Sequence, residues 1–140
     1  MPNSGAVLIV EDDASTQGLL VAVVRRLGMR AKTADDGGAA LAMIATEPPA
    51  AIILDLIMPG VDGFEVLRQL RHGSSGLLAR TIVITAGTAR VGDHPDLDLV
   101  WKFFRKPLDI QLLGMSVFDC VHASAKKAGR DGAYETPPQL

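Results

Sequence analysis

Glu11-Asp12-Asp13 follow the apolar run Ala6–Val10, Asp55 closes Ala51–Leu54, Thr85 ends Thr81–Ile84, and Lys106 follows Trp101–Arg105. Three or four carboxylates, a hydroxyl and an ammonium therefore share one kind of address, the carboxyl end of a short apolar segment. If those segments are parallel strands, the groups converge on the sheet edge where open α/β folds bind their ligands. So many like charges repel, and they cannot be desolvated cheaply unless a cation joins them. Hard oxygen donors favour Mg²⁺, which keeps several waters and takes one or two protein carboxylates together with phosphate oxygens. The chemistry suited to such a set is phosphoryl transfer.

The elements that must position these groups can be read from the pattern. Ala6–Val10 is too short and too β-branched for a buried helix, so it predicts a central strand. Ala14–Leu27 reads as an amphipathic helix with Leu19, Leu20, Val23, Val24 and Leu27 on one stripe, stopped by Gly28. Met29–Ala34 is a weaker strand closed by a turn at Asp35-Asp36-Gly37-Gly38, and a helix over about Ala39–Thr46 ends before Pro48-Pro49. Ala51–Leu54 is the next strand, followed by a helix at Phe64–His72 that carries Val66, Leu67 and Leu70. Thr81–Thr85 and Trp101–Arg105 complete the strands, and Ile110–Ser124 is the last helix. Alternating short strands and helices predict an α/β fold with a parallel, doubly wound sheet. Gly87–Leu99 should hold a helix between strands four and five. Gly92 and Pro95 interrupt it and force His94 from helical geometry, so a short, displaced or missing helix is expected there. One folded domain over 1–124 and a polar, flexible tail over 125–140, with Gly129, Gly132 and Pro137-Pro138, are expected.

Composition narrows the class. With 14 basic and 16 acidic residues the net charge is −2, which gives no global electrostatic reason for direct binding of nucleic acid or an anionic membrane. The one cysteine, Cys120, cannot form an internal disulfide, which suits a reducing compartment. The opening residues lack the basic start and apolar core of a signal peptide, and no apolar run approaches the roughly 20 residues that span a bilayer. A soluble, cytoplasmic domain that needs no structural metal is the expectation.

The stretches "VLIVEDD", "LDLIMPGVDGFEVL", "IVITA" and "FFRKPLD" resemble the receiver domain of two-component response regulators, the CheY-like family. The key positions are separated by 43 residues (Asp12 to Asp55), 30 (Asp55 to Thr85) and 21 (Thr85 to Lys106), and the resemblance covers roughly residues 6–124. It implies a flavodoxin-like five-stranded parallel sheet of order 2-1-3-4-5. It also implies that Asp55 is the phosphoacceptor, attacking a phosphohistidine on a histidine kinase or histidine phosphotransfer protein. Asp12, Glu11, Asp55 and the backbone carbonyl of Ile57 would hold Mg²⁺. Lys106 would pair with Asp55 and then with a phosphoryl oxygen, Thr85 would donate its hydroxyl to another, and Phe103 stands where the family has its switch aromatic. Ile57 and Gly87 hold the two positions that tune hydrolysis in the family.

Blander readings stand beside these. Asp13 reads as a helix cap, and Asp35 and Asp36 as turn formers only. One of Phe103 and Phe104 must be core, and Trp101 either packs inside or marks a partner surface. His72, His94 and His122 are scattered without ligand spacing, Cys120 reads as a small buried apolar residue, and Lys126, Lys127 and Arg130 as a solvated helix end.

No effector domain fits after residue 124, so a stand-alone receiver is expected, monomeric or weakly dimeric. Its output would be phosphorylation-dependent binding of a downstream protein or onward relay. Two other classes compete. A haloacid-dehalogenase-like phosphatase carries a second aspartate, the general acid, two residues after the nucleophile. Ile57 stands there, so no multiple-turnover enzyme is expected. A degenerate scaffold receiver loses the acidic pair, the acceptor or the lysine, and all are present here.

Overall fold

The computed structural model describes residues 5–73, 76–86 and 95–123. Its elements run β1 (Ala6–Val10), α1 (Ala14–Arg26), β2 (Arg30–Ala34), α2 (Gly37–Thr46), β3 (Ala51–Asp55), α3 (Gly63–His72), β4 (Thr81–Thr85), β5 (Lys102–Arg105) and α4 (Ile110–Ala123). The strands form one parallel sheet in the order β2-β1-β3-β4-β5. The winding reverses between β1 and β3, so the doubly wound sheet and its order are as expected.

β1, β3 and β4 are buried along their whole length, which is why each is a nearly unbroken apolar run. Leu8, Val10, Ile52, Leu54 and Val83 face α2 and α3, while Val7, Ile9, Ile53, Ile82 and Ile84 face α1 and α4. The outer strands are partly exposed and carry Arg30, Lys32, Lys102 and Arg105, charges that discourage pairing with another chain.

Aspartates start the helices. Asp13, Asp36 and Asp62 accept hydrogen bonds from the amides of Thr16, Ala39 and Glu65 at 2.8, 2.8 and 3.0 Å. Asp36 is thus a helix cap rather than only a turn former, and α2 begins at Gly37, two residues before the expected start. Gly28, at φ +82°, ends α1 as expected. Leu19 departs from the expected stripe. It is 45% exposed, because it lies about 100° around the helix from the buried Leu20.

Gly18 sits exposed inside α1, and a side chain there would meet nothing within 4 Å. Gly18→Ala is therefore expected to raise stability by about 1 kcal/mol through reduced backbone entropy in the unfolded chain. Urea unfolding measures this, and an unchanged midpoint would contradict it.

Between β4 and β5 the described residues hold one 3₁₀ turn, Pro95–Asp98. Residues 87–94, with Gly87, Gly92 and His94, lie outside the described set, as do Ser124 and the expected tail with Lys126, Lys127 and Arg130. The turn is tied to α3 by Asp96, which is buried and accepts from Arg71 Nη1 at 3.0 Å. No described helix is long and apolar enough to cross a membrane.

Candidate functional site

The strand ends bring the chemical groups together. β1 runs into Glu11, whose amide donates to the Ala34 carbonyl at 3.1 Å and whose side chain is fully buried. Asp12 is exposed beside it, and Asp13 turns away to cap α1. Asp55 is the last residue of β3 and only 3% exposed. The Ile57 amide donates to Asp55 Oδ1 at 3.0 Å, while the Ile57 side chain is half exposed.

Lys106 lies just past β5, its amide donating to the Thr85 carbonyl at 2.8 Å, and its peptide bond to Pro107 is cis. Its Nζ reaches inward and donates to Glu11 Oε1 at 3.2 Å and to Asp55 Oδ2 at 3.3 Å. Thr85 ends β4, fully buried, and among the described residues its hydroxyl has no hydrogen-bond partner. The Ser116 hydroxyl is also buried and unpartnered among the described residues, but it lies within a helix, α4, and not at a strand end.

One carboxylate oxygen each from Glu11, Asp12 and Asp55 lies within 4.8 Å of the others. Three acids face one ammonium, and two of them are buried. Burial, with Asp55 adjoining, pushes the Glu11 carboxyl up to about 7. Burial works against the charge on Lys106, but Asp55 and Glu11 outweigh it and hold its pKa above the usual lysine value. A divalent cation among these all-oxygen donors would complete the neutralisation that one lysine cannot, so the residues fit Mg²⁺.

A pH dependence follows. Between its ordinary value of 4.5 and about 7, Glu11 keeps its proton in the folded chain and releases it in the unfolded one. The contribution to stability is therefore fully present below about 4.5 and is lost as pH rises through about 7. Urea unfolding without divalent ions should show this fall relative to Glu11→Gln, in which it should vanish. Equal pH profiles for the two proteins would contradict it.

Phe103 and Phe104 pack, partly buried, against opposite core clusters, with the Arg105 guanidinium 5.3 Å from the Phe103 ring centre. Trp101 packs inward against the cluster under α1 and α4. Cys120 is buried and its thiol is pushed up to about 12 by that burial, in keeping with a packing role. His122 Nδ1 lies 2.8 Å from the Phe118 carbonyl, and His72 ends α3, so neither joins the acidic edge.

Two residues of this edge were not anticipated. Gln17 Nε2 donates to the Glu11 carbonyl at 2.9 Å and to Asp35 Oδ1 at 3.0 Å, tying α1 to two strand-end loops. Gly63 opens α3 directly against the backbone of Asp55 and Leu56, where a Cβ would come within 2.5 Å of both. The Asp62-Gly63 pair is a visible signal for such a close approach, whereas nothing in the sequence marks Gln17.

The family model described as the response regulator receiver domain matches residues 7–117. Response regulator PleD of Caulobacter vibrioides is 35% identical over 111 residues, which are 79% of this chain and 24% of PleD. The chain thus spans about a quarter of the length of that relative. Protein PilH of Pseudomonas aeruginosa is 27% identical over 76% of this chain and 89% of its own. A sensor protein from Polaromonas superposes with a TM-score of 0.73 at 28% identity, covering 85% of this chain and 97% of the other. With the sheet order, the acids at the switch point and the lysine joined to two of them, these matches place the chain in the response regulator receiver domain family of two-component signalling.

Proposed function

We propose that this receiver accepts a phosphoryl group on Asp55. Receiver domains take phosphoryl groups from histidine kinases or phosphotransfer proteins and bind Mg²⁺ at an acidic pocket. The observation that carries the assignment of Asp55 is its burial at the end of β3, held by the Ile57 amide and Lys106 with oxygens of Glu11 and Asp12 beside it.

In this reading an Asp55 oxygen attacks the phosphorus of a phosphohistidine. The P–N bond breaks, an acyl phosphate forms, and the imidazole leaves with a proton from solvent. Glu11, Asp12, Asp55 and the Ile57 carbonyl would hold Mg²⁺, which would supply positive charge at the phosphoryl oxygens. Lys106 moves its hydrogen bond from the carboxylate to a phosphoryl oxygen. Thr85, whose buried hydroxyl lacks a partner among the described residues, donates to another and draws its loop inward. Phe103, on the strand beside β4, passes that movement to a partner face. The output is binding of a downstream protein or onward transfer to a histidine.

No multiple-turnover substrate is proposed. The position two residues past the nucleophile is Ile57, which has no proton to give a leaving group.

Transfer from a radiolabelled phosphohistidine protein tests the assignment. The label on this chain should be released by hydroxylamine, as an acyl phosphate is, and be absent from Asp55→Asn. A hydroxylamine-resistant label would place the phosphoryl group on a hydroxyl and contradict it.

A further inference from the structure

Asp35 and Asp36, expected from the sequence only to form a turn, begin a segment that touches both loops carrying the acids. At one end of it Gly37 donates its amide to the Val61 carbonyl at 3.0 Å, on the stretch between Asp55 and α3. A Cβ on Gly37 would collide with that oxygen, so turn and loop are in direct contact. At the other end Asp35 Oδ1 accepts from Gln17 Nε2 at 3.0 Å, and the same nitrogen donates to the Glu11 carbonyl at 2.9 Å. A primary amide nitrogen has two hydrogens, and both are used here.

The consequence falls on Asp12. Of the three clustered acids it alone is exposed, and among the described residues its side chain has no hydrogen bond or ion pair. Glu11 by contrast is held at its amide by the Ala34 carbonyl, at Oε2 by the Asp13 amide and at Oε1 by Lys106. The place of Asp12 is therefore set by its backbone. The Glu11 carbonyl and the Asp12 amide share one rigid peptide plane, so the hydrogen bond from Gln17 fixes the direction in which the chain delivers Asp12.

We propose that Gln17, anchored by Asp35, is a positioning residue for the cation site. It holds the Glu11–Asp12 peptide in the orientation that brings an Asp12 oxygen within 4.8 Å of those of Glu11 and Asp55. The inference rests on the reading of the acidic edge as a Mg²⁺ site. The Gln17 amide nitrogen has no lone pair to offer a cation, so its effect passes through the groups it orients.

Isothermal titration of the full chain with Mg²⁺ tests it, with thermal unfolding in the absence of divalent ions to show that each variant is folded. Gln17→Ala, which places the best helix former on α1, should bind Mg²⁺ about tenfold more weakly, the usual cost of losing a group that orients a ligand. Gln17→Glu separates placement from charge. It keeps the shape of the side chain, has no hydrogen to donate when ionised, and adds a negative charge close to the site. Charge alone would tighten Mg²⁺ binding, whereas loss of placement should weaken it about tenfold, as in Gln17→Ala. Asp35→Asn keeps an acceptor oxygen and should stay within about twofold of the unaltered chain, while Asp35→Ala, which releases the Gln17 amide, should bind about threefold more weakly. Unchanged or tighter binding in Gln17→Ala and Gln17→Glu would overturn the inference and leave the Mg²⁺ site standing. Equal weakening in Asp35→Asn and Asp35→Ala would overturn the anchoring role of Asp35, since charge would then explain both. No Mg²⁺ binding by the unaltered chain would overturn the Mg²⁺ reading and this inference together.

Discussion

Lys106→Ala will bind Mg²⁺ about tenfold more tightly than the unaltered chain and yet accept phosphate about 100-fold more slowly. The two effects have opposite signs because the lysine serves two states. Before transfer its Nζ sits between Glu11 and Asp55 at 3.2 and 3.3 Å and neutralises two of the three acids that a cation would join. Removing it leaves Glu11, Asp12 and Asp55 with no cation among the described residues in an ion pair with them, so a divalent ion meets a more negative site. During transfer the lysine is a positioned donor for a phosphoryl oxygen, and losing such a donor costs about two to three powers of ten in rate. Isothermal titration with Mg²⁺ and the rate of labelling by acetyl phosphate measure the two halves. Weaker metal binding in the variant would show that Lys106 organises the acids rather than competing with a cation for them.

Gly63→Ala will lower the melting temperature by about 10 °C, the equivalent of about 3 kcal/mol for a domain of this size. The added methyl would lie 2.5 Å from the Asp55 carbonyl oxygen and 2.5 Å from Leu56 Cα, both backbone atoms that cannot swing aside as a side chain can. The Gly63 amide also donates to the Leu56 carbonyl at 3.0 Å, so α3 cannot retreat without breaking that bond. The strain falls on the two residues that set the direction of the acceptor carboxylate, and phosphorylation should slow as well. Differential scanning calorimetry checks the first effect. An unchanged melting temperature would mean that α3 can shift freely against β3, which its contacts do not allow.

The features readable in the sequence were those written in local pattern. β1, β3 and β4 are buried on both faces, so each needs an unbroken apolar run, and its end is marked by the first polar residue. Asp55, Thr85 and the acids after β1 stand at those ends, and parallel topology alone brings them to one edge. The edge strand β2, Arg-Ala-Lys-Thr-Ala, is half exposed and was legible only as a weak strand. The start of α2 was displaced because an aspartate before Gly-Gly signals a turn and a cap equally well. Leu19 shows that an apolar residue beside a stripe need not belong to it. Gln17 and the Arg71–Asp96 pair join residues 18 and 25 positions apart, and a polar side chain carries no sequence mark of so distant a partner.

Intact mass after incubation with Mg²⁺ and acetyl phosphate, with Asp55→Asn in parallel, tests the assignment of Asp55 most directly. One added phosphoryl group, dependent on Mg²⁺ and absent from the variant, is the expected result. A phosphoryl group that persists in Asp55→Asn, or none on the unaltered chain from either acetyl phosphate or a phosphohistidine protein while Mg²⁺ is shown to bind, would contradict it.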